Sequence, residues 1–579
     1  MIFKYFKQFF GYFKEERKPF IIYSILSVTA AVLELMGVAL VYPFILRVLS
    51  ATPTNNWKAS PLLIGCFIIC LFLLKNLFMI VFTFIQAKFT NNFEMKIKRR
   101  VVRYLLGANY QDTSNISLAK KGKILDFLIP NTMNNFIFRL LNLNVNFFIF
   151  LLIAACLTVK FPVATVSAII FGVLMLTIQT KIYAPYLKKL AEKISKSNLL
   201  FIQASNDALL NIKTVKISNN EKYFYDNYSE KMSAYYVNSR KNTFVNAIPP
   251  YVTEPFSILL LFILVSVISY QNYLEPDKLV ASLALVGAAI FRLAPAISRI
   301  QVNLNGINSA LPFVKEFMDF YEQYEIQKAK DIEKKTFSNF NDKLEIKNLN
   351  FGYKKGKQVL KDINLCIEKG KFVGISGVSG AGKTTLADII AGLYKADSGE
   401  IFIDGLPQEK PLKIGYVPQE FTLIKGNIKD NVVFGYPVLD DAKVIEALKK
   451  AQLYEFIKQN YPEGIFANPF IDSIGFSQGQ KQRLAIARAL YSNPDILIFD
   501  EATSSLDLKT EDEICSVLNE LKGKTTIIVI AHRLSTIKNA DKIIYLENGT
   551  VSAINTFENL LKVSKGFNEL VKISSLKNN

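Results

Sequence analysis

The sequence predicts a membrane protein in two parts: an all-α domain of six transmembrane helices, then an α/β domain built around a phosphate-binding loop. Three observations carry this. Long apolar runs, each near the roughly 20 residues a bilayer requires, crowd the first three hundred positions. Gly377-Val-Ser-Gly-Ala-Gly-Lys383-Thr384 fits G-x-x-x-x-G-K-[ST] between a strand-like and a helix-like segment. Further on, Asp495-Ile-Leu-Ile-Phe-Asp500-Glu501 reads as a buried strand ending in two acids.

The membrane part is predicted to occupy 1–320. Lys4, Lys7, Lys14, Arg17 and Lys18 precede the first apolar run, which places the N-terminus on the cytoplasmic side and allows a short amphipathic helix at the interface. The predicted spans are 20–49, 61–87, 135–159, 162–183, 247–270 and 279–304. Outer connections are short, and the first carries the only tryptophan, Trp57. Inner connections are long and Lys-rich, so both termini are expected to be cytoplasmic. The same asymmetry accounts for the formal charge of +20 by membrane topology, and no nucleic-acid partner is expected. The first run is too long for the core of a cleavable leader. Five cysteines without a CxxC pair suggest neither a metal site nor a disulfide framework.

Ionisable residues inside spans are functional candidates by default. Here they include Glu34, Lys75, Arg292 and Arg299. Arg292 and Arg299 are seven residues apart, about 10 Å along one helix face, a spacing that could hold a phosphate or diphosphate headgroup. The alternatives are that Glu34 pairs with a basic neighbour and that Lys75 and Arg299 reach for an interface.

Residues 321–343 read as a charged linker and 344–579 as the second domain. In the phosphate loop, the glycines Gly377, Gly380 and Gly382, with Ser379, let backbone N–H groups curl around an anion at a helix N-terminus. Lys383 is placed to reach the β- and γ-phosphates of a nucleotide, and the Thr384 hydroxyl to ligate Mg²⁺. Asp500 would help hold that metal and Glu501 would polarise the attacking water. His532, the only histidine, follows the strand-like Thr526-Ile-Ile-Val-Ile530. Its position alone leaves a packed residue and a γ-phosphate contact equally open.

In this order, these motifs resemble ABC transporters of the exporter type, in which six spans are fused to one nucleotide-binding domain. The resemblance implies ATP and Mg²⁺ as cofactors and a role for each matching residue. Tyr353 becomes the aromatic that stacks on adenine, and Thr385 completes the phosphate loop. Gln419 becomes the glutamine near Mg²⁺ and the membrane-domain contact. Asp500 and Glu501 become the metal-holding acid and the catalytic glutamate, Asp507 a contact in the segment Ser505-Leu-Asp507, and His532 the γ-phosphate switch.

The family signature is Phe476-Ser-Gln-Gly-Gln480 here, with Gln478 for the usual first glycine and with Ser477, Gly479 and Gln480 kept. The stretch before it, with Phe470 and Ile471, departs from the family's acidic, glycine-rich pattern. One chain carries one phosphate loop and one signature, so the resemblance implies a homodimer, with coupling segments at 111–125 and 214–222. It also implies a bacterial cytoplasmic (inner) membrane location. The first span (Glu34 to Phe44) and the sixth (Phe291 to Ile300) are similar to flippases of lipid-linked oligosaccharides of the PglK type. That similarity gives Arg292, Arg299 and Glu34 as substrate residues and an amphipathic or lipid-linked substrate, with peptide, toxin, lipid or drug export as the alternative. The first outer loop is shorter than that type would have.

Overall fold

The computed structural model describes residues 2–576 apart from 41–43, 46, 47, 49–60, 161, 273–275, 327–335, 354, 355, 438, 439, 469–474, 502–507 and 532. Trp57, Phe470, Ile471, Ser505, Asp507 and His532 therefore lie outside the described residues. The chain forms two compact units, 1–108 with 112–332, and 109–111 with 333–579.

A helix stands at each predicted span: α1 (Arg17–Ala39), α2 (Pro61–Gly107), α3 (Phe138–Lys160), α4 (Pro162–Ile178), α5 (Glu221–Asn272) and α6 (Pro276–Gln323). Four helical stretches among the described residues, Lys14–Met36, Leu62–Gly107, Leu118–Ala155 and Glu221–Ile263, are long and apolar enough to cross a bilayer. Their outward faces stay greasy. Leu62, Leu63, Phe67, Ile69, Leu73 and Leu77 of α2 are all exposed, as expected where lipid replaces water as solvent.

Three helices run far beyond their apolar windows. α2 continues to Gly107, α5 begins at Glu221, and α6 reaches Gln323. Apolarity marks only the membrane portion. Beyond it the helix persists on polar residues, helped by i,i+4 pairs such as Glu94 with Lys98 at 3.0 Å. Prolines 249, 250 and 255 lie inside α5. Pro249 has no N–H for the Val245 carbonyl four residues back. That carbonyl instead accepts from the Asn305 Nδ2 at 3.5 Å, and Asn305 Oδ1 accepts from Gln179 at 2.6 Å. Neighbouring side chains thus satisfy the freed backbone group.

The N-terminal helix Ile2–Tyr12 forms as its amphipathic pattern implies. Its aromatic face is docked in the unit's core: Phe9 and Phe13 pack edge-on against Phe93 at 5.5 and 5.4 Å. Short helices occupy both predicted coupling segments, Tyr110–Ser114 with Leu118–Lys123, and Ile212–Ile217.

The second unit holds two sheets. The antiparallel one has the order β2 (Leu360–Glu368), β1 (Lys343–Phe351), β4 (Ser398–Ile403), β5 (Leu406–Pro407). The other has the order β10 (Thr550–Asn555), β9 (Lys542–Glu547), β3 (Phe372–Gly377), β8 (Thr526–Ile530), β7 (Ile496–Asp500), β6 (Ile414–Val417). All its pairs are parallel except β10 with β9.

The strands of this sheet read as unbroken apolar runs because both faces are covered. Ile496 and Ile498 join one core with Ile375, Leu386 and Ile528, whereas Leu497 and Phe499 join the other with Val529 and Leu484. The period of two along β7 sends alternate residues to opposite cores. Asp500, its last residue, and Glu501 just beyond it emerge at the C-terminal edge, where parallel α/β sheets place their ligand sites.

Candidate functional site

That edge gathers the phosphate loop, the paired acids and the glutamine. β3 ends at Gly377, whose φ of 155° accompanies a close approach: a Cβ there would stand 2.2 Å from the Leu546 carbonyl oxygen. At Gly382 the left-handed φ of 97° turns the chain into α7 (Lys383–Ile390). Lys383 is buried, and its Nζ donates to the carbonyls of Gly377 at 2.9 Å and Val378 at 3.1 Å. The ammonium is curled into its own loop, the place an anionic phosphate would contest. Burial holds its pKa below the usual lysine range, opposed by the charge of Glu501. Thr384, next in line, is exposed.

Tyr353 shares a hydrogen bond with the buried Thr385 hydroxyl at 2.9 Å. Its ring packs edge-on against Phe351 and Tyr394 at 5.2 and 5.4 Å. It remains about half exposed, at 52%, so one aromatic face is open beside the phosphate loop for a base to stack on.

Asp500 is held from the neighbouring strand: Tyr416 of β6 donates its hydroxyl to Asp500 Oδ2 at 2.7 Å. Burial, then this bond, raises the tyrosine's pKa, which keeps it a donor. Glu501 is left-handed at φ 50°, unusual outside glycine, and its N–H donates to the Ile530 carbonyl at 3.2 Å. Gln419 is exposed just after Pro418. The Pro418 carbonyl accepts from Gln482 at 3.1 Å, on the helix α8 (Gln478–Tyr491).

Ser477 caps α8. Its hydroxyl accepts from the Gln480 N–H at 3.3 Å, and Gln480 Oε1 accepts from the Ser477 N–H at 2.7 Å. The substituted position, Gln478, is the first helical residue and lies between the partners of an intact capping box, Ser477 and Gln480, and Gly479 is buried within that turn. The fourteen-residue helix presents its positive N-terminus beside these residues.

The donor set fits a Mg²⁺-nucleotide. A cradle too tight for side chains, a lysine resting on bare carbonyls, an exposed hydroxyl and a carboxylate fixed by one oxygen are what such a ligand uses. Lys383 and the loop N–H groups would hold the phosphates; Thr384, Asp500 and Gln419 would hold the metal. Asp507 and His532 lie outside the described residues.

Two residues here escaped the sequence reading. Tyr416, on β6, precedes Gln419 by three positions, a spacing that could have flagged it. Asp388 on α7 carries no motif signal. Burial, then the charge of Asp500, pushes its carboxyl from 3.8 up to about 6. The folded domain therefore binds this proton more tightly than the unfolded chain, and stability falls as pH rises between those two values. Asp388→Asn is expected to raise the thermal midpoint of the nucleotide-free protein at about pH 7.5 and to raise it much less near about pH 4.5. Circular dichroism melts check this; equal midpoints for variant and parent at both pH values would remove the strain from Asp388.

In the membrane unit, Glu34 accepts ion pairs from Lys75 at 2.9 Å and Arg292 at 2.8 Å. Lys75 does not reach for an interface. It is buried at 6% exposure, because a carboxylate within reach stabilises its charge better than the longer path to water. Arg292 is drawn to Glu34, while Arg299 is exposed and makes no ion pair among the described residues, so the two arginines do not form a free basic pair. Nearby, α3, α4 and α6 enclose a cavity of about 450 Å³ lined chiefly by apolar groups, including Phe147, Phe150, Met175 and Ile297.

Comparison with known proteins places both units. The family profile described as "ABC transporter transmembrane region" matches residues 21–292, and "ABC transporter" matches 360–504. Proteins of Staphylococcus aureus strains NCTC 8325 / PS 47 and Mu50 / ATCC 700699, provisionally named multidrug export ATP-binding/permease proteins, are 40% identical over 241 residues. That match takes in 40% of this chain and 42% of theirs, so the chain spans well under half the length of these relatives. Among solved structures, a bacterial Atm1-family ABC exporter with ATP bound superposes with a TM-score of 0.79 at 23% identity, covering 96% of this chain and 99% of that one. At that identity the likeness establishes the fold.

Proposed function

Because this chain belongs to the ABC transporters, with the family's transmembrane region fused ahead of its ATP-binding domain, we propose that it is an ATP-driven exporter whose substrate is an anionic amphiphile of the lipid-linked saccharide kind. The observation that carries the energetic half is the nucleotide site: a left-handed glycine cradle, Lys383 turned onto its carbonyls, and Asp500 and Glu501 at the end of β7, two strands along the same sheet edge. Bound Mg²⁺ would neutralise the phosphate charge. Lys383 would orient the phosphates, Tyr353 would stack on the base, and Glu501 would accept a proton from the attacking water.

In this reading two chains act together, since the Ser477–Gly479–Gln480 turn of one would close the phosphate loop of the other. Asp507 and His532 would complete the contacts to the γ-phosphate. The short helices at 110–123 and 212–217 would carry the closure to the membrane helices. The basic N-terminal segment supports a bacterial cytoplasmic membrane location with cytoplasmic termini.

The substrate half rests on charge and apolarity found together in the membrane unit. At Glu34 two cations, Lys75 and Arg292, meet one carboxylate, and the apolar cavity of about 450 Å³ suits a hydrocarbon chain. A second reading, export of uncharged or cationic drugs, is favoured by the names of the Staphylococcus aureus relatives. ATPase stimulation of the full chain in lipid vesicles separates the two. Stimulation by a polyprenyl-diphosphate saccharide and not by a drug panel is expected; the reverse pattern would give the multidrug reading priority.

A further inference from the structure

One charged residue from each of α1, α2 and α6 meets at the Glu34 carboxylate, each cation on its own oxygen. Lys75 Nζ lies 2.9 Å from Glu34 Oε2, and Arg292 Nη1 lies 2.8 Å from Oε1. Both cations also stand over the ring of Phe72, each 5.4 Å from its centroid. Each of the three residues sits roughly 20 Å along its helix from the start, well inside the apolar stretch. One carboxylate and two cations leave one surplus positive charge in a setting where charge is costly.

The two cations are not equivalent. The Lys75 side chain is 8% exposed, and that of Arg292 is 31% exposed. Lys75 therefore has nowhere to go for a second anion. The guanidinium offers five N–H groups in a planar fork, of which the Glu34 contact engages Nη1, and the side chain keeps 31% of its surface exposed.

We propose that Glu34 is a stand-in anion: Lys75 is its permanent partner, and Arg292 is lent to it until the phosphate or diphosphate of an amphiphile takes its place. This deepens the anionic-amphiphile reading above and rests on it. The exchange balances in charge. When Arg292 turns to the ligand, Glu34 remains neutralised by Lys75, and the surplus charge meets an anion whose geometry suits a bidentate guanidinium contact better than a shared carboxylate. It also has a mechanical consequence. The Arg292–Glu34 contact ties α6 to α1, so arrival of the headgroup releases that tie while α1 and α2 stay joined through Lys75.

The test uses the full chain in phosphatidylcholine vesicles, with farnesyl diphosphate as probe and farnesol as the uncharged control. ATPase stimulation is normalised to each variant's own basal rate, and a ligand-induced thermal shift is the readout independent of turnover. The parent should respond to the diphosphate alone. Arg292→Gln should raise the half-maximal concentration by about tenfold or more. Glu34→Gln strands Lys75 and can misfold, so the double variant Glu34→Gln/Lys75→Met is the decisive one. It removes the stand-in with its partner and should lower the half-maximal concentration by about tenfold. A double variant that responds like the parent or more weakly overturns the exchange. A parent that prefers the diphosphate, with all three positions indifferent, sinks this assignment and spares the anionic-amphiphile reading. A parent that does not distinguish diphosphate from farnesol sinks both.

Discussion

Glu501→Gln leaves ATP binding intact and slows hydrolysis by about 10²-fold or more. The variant keeps the shape and hydrogen-bonding reach of the side chain but cannot take up a proton, so the loss falls on the chemical step. The backbone supports this assignment. Glu501 is held left-handed at φ 50° and pinned by its N–H to the end of β8 at 3.2 Å. A non-glycine residue in that region is under strain, and here the strain turns the second acid of the pair away from the course of β7. Phosphate release from vesicle-reconstituted protein measures the rate, and a fluorescent ATP analogue measures binding. An unchanged turnover would take the proton-accepting role away from Glu501, and a loss of binding in step with turnover would recast it as a binding residue.

Lys383→Ala weakens nucleotide binding by about 10- to 100-fold, the loss expected for one or two hydrogen bonds to a charged group. Among the described residues the buried ammonium hydrogen-bonds only to carbonyl oxygens, and its pKa is depressed by burial. A bound phosphate would relieve that cost by supplying an opposing charge, so binding and the state of Lys383 are linked. The same substitution should cost the empty domain little, because it removes a poorly solvated charge along with its contacts. Titration with the fluorescent analogue, beside a thermal melt without nucleotide, separates the two effects. Undiminished affinity would mean that the backbone cradle alone holds the phosphates. A collapsed melting curve would mean that the lysine is part of the domain's core.

These outcomes bear on residues that local pattern made visible. A phosphate loop can be read because its geometry is encoded within eight consecutive residues and the strand and helix beside them. The acids at the end of β7 can be read for a similar reason: four apolar residues followed by charge mark a strand leaving a two-sided core. The apolar runs located a helix at each predicted span but not its length. Helices α2, α5 and α6 continue on polar residues whose helical preference hydropathy does not register. Tyr416 and Asp388 stayed hidden because each acts on Asp500 from a different element.

The sequence by itself determined the two-part architecture, the class of ligand at the phosphate loop and most of the residues around it. Each depends on contacts within a few residues or on the solvent a segment can tolerate, and both are written in local composition. Only the tertiary structure decided the fate of the charges in the membrane unit. The spacing of Arg292 and Arg299 suggested a pair on one helix face, yet Arg292 is joined to Glu34, a carboxylate it shares with Lys75, and Arg299 is not. Periodicity states which residues share a face of their own helix. It is silent on which helix that face meets, and a buried charge takes its partner from whichever neighbour the packing brings within 3 Å.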